Sequence, residues 1–198
     1  MNGRRYYSKE FGDGLVQVFV LDSNTLPDDD PDQIAWLDDA LAQSKATWKV
    51  VALHHPLYST ALKYPSNPDM IAQLEPVFRK HDVSLVLQGH NHLYERLAPI
   101  HGIHYFTAGS GGTVNRGNLA PNVPQREAGN DQTEVFLLLE FDGGTCRFTA
   151  FDSNRKILDT GEIHTHLGLY SISQNFVPKP KGATLIFPDR GLSVGPAL

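Results

Sequence analysis

Apolar residues recur along this chain with two different periods, and the switches between them lay out its elements. "YYSKEF" and "LVQVFVLD" are short β-rich runs on either side of Gly12-Asp13-Gly14, a turn composition, so a hairpin is predicted from about Tyr6 to Asp22. The period then lengthens. In "DPDQIAWLDDALAQS", Ile34, Leu37 and Leu41 stand at i, i+3 and i+7 behind Asp30 as N-cap and Pro31 at the first helical position, which predicts an amphipathic helix. "WKVVAL" is a continuous apolar run that stops at "HHPLYST", where Pro56 forbids an ordinary central strand. From Pro68 to Lys80, Met70, Ile71, Leu74, Val77 and Phe78 return to helical spacing, with Pro76 expected to start a second short helix or to kink the first. "VSLVLQ" is the next strand.

Downstream the pattern is β-rich. "GIHYFTAG", "EVFLLLEF", "CRFTAFD" and "KILDTGEIHT" predict successive strands, the middle two joined at "DGG", and the Gly- and Asn-rich stretch from Ser110 to Gln132 reads as a long loop bordering a site. Residues 166–198 carry several glycines and prolines and little periodicity. They read as a surface-hugging or loosely ordered extension beside a domain over 1–165. The order strand, "HHP" loop, helix, strand, "GHNH" loop is a βαβ unit, and its strands are expected to be parallel neighbours. Both histidine loops then leave the same edge of one sheet, the edge where open α/β sheets bind ligands. The fold class is therefore α/β (α+β) with a mixed sheet.

Composition narrows the functions available. With 198 residues, 40% of them hydrophobic and 20% charged, the chain suits one globular domain. A formal charge of -5 without a run of Lys or Arg gives no broad cationic face, so neither nucleic acid nor a membrane surface is an expected partner. No window approaches a bilayer-spanning apolar length, and "MNGRRYYSKEF" has no apolar core of the kind a leader needs. Cys146, the one cysteine, excludes an internal disulfide, and the compartment stays open.

The candidate chemistry lies in the histidines. His90 and His92, two apart in an extended segment, point the same way, and imidazole suits zinc, iron and manganese. Alone, such a pair is more often a surface or hydrogen-bonded pair than a metal site. The stronger signal is that His54 falls on the other loop that the βαβ reading brings to the same edge.

"WKVVALHHPLYST" and "LVLQGHNHLYER", with "RRYYSKEFGDGLVQVFVLDSN" and "QIAWLDDAL" before them, resemble the second half of a calcineurin-like metallophosphoesterase of the purple-acid-phosphatase-like branch, from about Arg4 to Thr165. The resemblance implies a β-sandwich flanked by helices, phosphate esters as substrate, and two divalent or Fe/Zn/Mn-type ions. His54 and His90 match ligands of one ion and His92 a ligand of the other. The family's Asp-x-His and Gly-Asn-His motifs have no counterpart here, since Gly117-Asn118 and Gly129-Asn130 lack the following histidine, and Gly12-Asp13 sits in the hairpin turn, downstream of where the family's Gly-Asp would lie. The chain is accordingly expected to be the C-terminal portion of such a domain, to need the N-terminal half for a complete site, and by itself to bind metal weakly and lack activity. The alternative is a non-catalytic, degenerate member serving as a binding or single-metal domain. His55 is a candidate substrate contact or proton donor, and Lys63, with Tyr64, stands where some relatives place substrate-facing histidines. Asp22, at a strand end, reads as a turn residue. Tyr94, Glu95 and Arg96 are expected to be structural, with an arginine–carboxylate pair holding their loop. His81, His101, His104, His164 and His166 have no motif support.

Overall fold

The predicted hairpin comes first along the chain: β1 (Tyr7–Phe11) pairs antiparallel with β2 (Val16–Val20) around a turn whose Gly12, Asp13 and Gly14 all have positive φ. The computed structural model describes residues 5–26, 30–165, 182–187 and 193–195. Helix α1 (Pro31–Gln43) begins as its sequence dictates, with the Asp30 carboxylate accepting from the Gln33 amide and Pro31 in the first turn. Then follow β3 (Trp48–Ala52), α2 (Pro68–Lys80) and β4 (Leu85–Gln88). The remaining strands are β5 (Tyr94–Leu97), β6 (His104–Ala108), β7 (Arg126–Asn130), β8 (Val135–Asp142), β9 (Thr145–Asp152), β10 (Ile157–His164), β11 (Ala183–Phe187) and β12 (Ser193–Gly195).

These strands form two sheets. The seven-stranded sheet runs β1-β2-β3-β4-β6-β5-β7, with β2, β3, β4 and β6 parallel and both flanks antiparallel. The five-stranded sheet, β10-β9-β8-β11-β12, is antiparallel throughout. Alternation along the parallel strands sends Val18, Val50, Leu87 and Phe106 into a core shared with Leu137, Leu139, Phe148 and Ala150 of the second sheet. The opposite set, Phe19, Val51, Val86 and Tyr105, packs under the helices against Leu37, Leu41, Leu74 and Phe78. A mixed sheet thus lies between a second sheet and a pair of helices, an α/β sandwich of the kind expected. The Trp48 indole ties the layers together by donating to the Gly143 carbonyl at 2.8 Å.

Four details depart from the sequence expectation. Helix α2 runs unbroken through Pro76: the backbone bond that proline removes is outweighed by the burial of Met70, Leu74 and Phe78 on the same helix. The stretch from Ser110 to Gln132 is not all loop, since β7 pairs with β5. Its sequence, "REAGN", has no apolar alternation because both of its faces are partly exposed. Tyr94, Glu95 and Arg96 belong to β5, so the expected arginine–carboxylate pairing, made by Arg96 with Asp159 and Glu127, fixes a strand where a loop was expected. Finally, β11 and β12 fall within the expected extension, with β11 adding to the edge of β8; the rest of 166–198 lies outside the described residues.

Candidate metal centre

Parallel strands deliver their loops to one edge. β3 ends two residues before His54 and three before His55, β4 two residues before His90, and the two loops are joined by the Gly89 N–H donating to the His54 carbonyl at 3.0 Å. His90 holds a left-handed backbone, φ 63°, uncommon for a residue with a Cβ. That turn is crowded from behind: a Cβ on Gly109, after β6, would lie 2.3 Å from the Asn91 carbonyl oxygen. Position 109 therefore takes only glycine if the His90 loop is to stay where it is.

The loops bring three imidazoles together. His54 Nε2 stands 3.0 Å from His90 Nδ1, and one ligand atom from each of His54, His55 and His90 lies within 4.8 Å of the others. Ring centroids are 4.5 Å apart for His55 and His90 and 4.9 Å for His54 and His55. Burial, and then the neighbouring rings of His55, His54 and His92 with the Lys63 charge, push His90 down to about 4. Burial and His54 likewise hold His55 below the ordinary histidine value. These two rings are neutral at pH 7, the form that ligates a metal.

The sequence-nominated residues fall into two groups here. His54, His90 and His55 share the cluster. His92 stands close enough to depress His90, yet it is not one of the three whose ligand atoms converge. Lys63 lies at the rim, its ammonium 5.0 Å from the centre of the Tyr64 ring, and Tyr64 packs on His90 at 4.3 Å. Asp22 follows β2 at the same edge, but its carboxylate is engaged by Arg5 at 3.0 Å and by Asn24.

Several supporting residues carry no motif. Ser23, buried, accepts the His55 backbone N–H at 2.9 Å, and its hydroxyl lies 3.0 Å from His55 Nδ1. Its turn is fixed by Gln33, whose amide accepts from the Asp22 N–H and donates to the Asp22 carbonyl. Gln33 shares a helical face with Leu37 and Leu41, so a polar residue at a core position was the signal for it. Gln88, fully buried at the end of β4, accepts from the Leu57 N–H and donates to the Tyr58 carbonyl and the Thr107 hydroxyl. Glu95 accepts from the Ser59 and Thr60 hydroxyls at 2.5 and 2.7 Å, which ties β5 to the loop after His55. Asn91 donates to Ser59 and to the Tyr64 carbonyl. The loop after β6 braces the rim: Asn118 accepts from the Leu62 and Lys63 amides.

As a donor set, three imidazoles suit one zinc, iron or manganese ion. A pair of nitrogens 3.0 Å apart is close to what two ligands of one such ion require. Among the described residues, the cluster includes no carboxylate to bridge to a second ion.

Comparison with known proteins gives a consistent picture. The family model for calcineurin-like phosphoesterase matches residues 2–94, a span that contains all four histidines of the two loops. The chain is 36% identical to purple acid phosphatase 21 of Arabidopsis thaliana over 126 residues, covering 58% of this chain and 28% of that protein. It is 26% identical to purple acid phosphatase 7 of the same plant, over 64% of this chain and 38% of that one, so it spans well under half the length of these relatives. Among solved structures, the purple acid phosphatase PPD1 from yellow lupin seeds superposes with a TM-score of 0.73 at 20% identity, covering 88% of this chain and 35% of that chain.

Proposed function

From the premise that this chain is a calcineurin-like metallophosphoesterase of the purple-acid-phosphatase-like kind, we propose that it carries the histidine half of a dinuclear centre that hydrolyses phosphate esters. What supports the reading is the 3.0 Å approach of His54 Nε2 to His90 Nδ1 at the carboxyl edge of a parallel sheet. His54 and His90 are assigned to one ion, and His92 to the second. Bound ions of the Fe, Zn or Mn type supply charge that attracts phosphate oxygens and lowers the pKa of a coordinated water. The chain's own residues do the rest of the work at this edge. Neutral imidazoles hold the ions without cancelling their charge. Lys63, at the rim beside Tyr64, presents a point charge to the phosphate. The loop carrying Asn118 fixes the Lys63 backbone and with it the side of the opening.

The second ion needs a bridging carboxylate, and the cluster includes none among the described residues. We infer that the further ligands come from a segment or chain outside these 198 residues, and that the 198 residues alone do not turn over. That same observation favours a second reading, a non-catalytic member that binds one ion or a partner. Phosphomonoesterase activity of the protein as it occurs in its own cells separates the two. The first reading requires hydrolysis of p-nitrophenyl phosphate that is lost on chelation and lowered at least about a hundredfold by His90→Asn. Metal binding without turnover would support the second reading, and turnover indifferent to chelation would contradict both.

A further inference from the structure

We propose that His55 is the third nitrogen ligand of the ion held by His54 and His90, so that this chain by itself forms a mononuclear three-histidine site. The inference rests on the metal reading of this edge and goes beyond it, because the family resemblance assigns His92 and leaves His55 as a substrate contact or proton donor.

Geometry carries the assignment. The ligand atoms that converge within 4.8 Å belong to His54, His55 and His90, and His92 is outside that set. Metal–nitrogen bonds of about 2.0–2.1 Å place the nitrogens of one tetrahedral ion roughly 3.4 Å apart, so the set closes onto an ion with side-chain adjustments of about an ångström. The Gly89 bond to the His54 carbonyl and the bond from the His55 N–H to Ser23 Oγ already lock both loops together.

Ser23 decides which nitrogen of His55 is offered. A ligating histidine characteristically donates its other ring N–H to an oxygen, which fixes tautomer and ring orientation. Ser23 Oγ, 3.0 Å from His55 Nδ1 and buried, is such an oxygen. With Nδ1–H donating to it, the Nε2 lone pair is the one free to ligate. The serine is in turn held by the turn that Gln33 grips from α1. Ser23 is thus a positioning residue, one step removed from the ion.

The test uses the 198-residue chain with Co2+ as the probe, read by titration calorimetry and by the visible absorption of a low-coordinate site. Wild type is expected to bind one equivalent, with imidazole ring signals of His54, His55 and His90 all shifted in the NMR spectrum. His55→Ala weakens binding at least tenfold and changes the visible spectrum, Ser23→Ala weakens it about tenfold, and His164→Ala, at the end of β10 in the other sheet, leaves it at the wild-type value. Circular dichroism and the thermal midpoint confirm that each variant is folded. Unchanged affinity in His55→Ala, an equal loss in His164→Ala, or no stoichiometric binding by wild type overturns the inference. Failure in His55→Ala with a metal-dependent phosphatase still present in the native protein would remove this assignment and leave the phosphoesterase reading standing.

Discussion

His90 concentrates the physics of the site in one residue. It combines a left-handed backbone, a hydrogen-bond contact with His54 and a pKa pushed down to about 4. Because the folded protein resists protonating His90 while the unfolded chain does so near 6.5, the unfolded state binds more protons between those values. Stability of the metal-free protein is therefore complete above about pH 6.5 and declines as the pH falls toward 4. His90→Asn, which tolerates the left-handed angle, flattens that decline in thermal midpoints measured from neutral to acid pH; an unchanged slope would assign the acid sensitivity elsewhere. Gly109 tests the backbone side of the same turn. Gly109→Ala puts a methyl 2.3 Å from the Asn91 carbonyl, and a loss of about 1–3 kcal/mol in urea unfolding is expected. Wild-type stability would mean that the loop yields easily. The histidines themselves were legible as motifs, whereas the angle of His90 and the need for Gly109 arise from two loops meeting in space, which no local pattern records.

At the scale of elements, the strongest signals came from periodicity and the weakest from polar strands. Both helices were predicted, α1 with its Asp30 cap, because Leu37 and Leu41 or Met70, Leu74 and Phe78 bury a single stripe. β7 escaped because a strand with two half-exposed faces has no alternation to read. The "YERL" strand was missed in its role: Glu95, rather than an arginine pair, grips the loop after His55 through the hydroxyls of Ser59 and Thr60. Replacing it by alanine strands the Ser59 and Thr60 donors in a buried place, so Glu95→Ala is expected to cost about 2–4 kcal/mol, with Glu95→Gln recovering part of it. Equilibrium unfolding checks the order of the two variants, and a cost under about 0.5 kcal/mol for the alanine would show that water replaces the carboxylate. Helix α2 offers a milder case. Asn67 accepts from the Asp69 and Met70 amides, and Asn67→Ala should cost about 1 kcal/mol without touching metal affinity.

At the scale of the molecule, the sandwich gives the site its rigidity. Four parallel strands, backed by a second sheet on one face and by helices on the other, point their carboxyl ends at one place, and the βαβ order predicted this for β3 and β4, the two that lead into the histidine loops. Phe148 anchors the inter-sheet core, packing on Phe106 at 5.1 Å and against Gly161. Phe148→Ala is expected to lose about 3–5 kcal/mol while the histidine edge keeps its relative geometry in whatever remains folded. What the sequence could not supply is the acidic complement of the histidines, since the cluster includes no carboxylate among the described residues and the chain spans 28% of purple acid phosphatase 21. The central claim is that this edge becomes a dinuclear phosphoesterase centre when that complement is present. The most direct measurement is the metal content, by plasma mass spectrometry, of the native protein isolated from its own cells with its natural length and partners. Two transition ions per copy, falling to one or none in His54→Ala and His90→Asn, is the predicted result; fewer than two in the unaltered protein contradicts it.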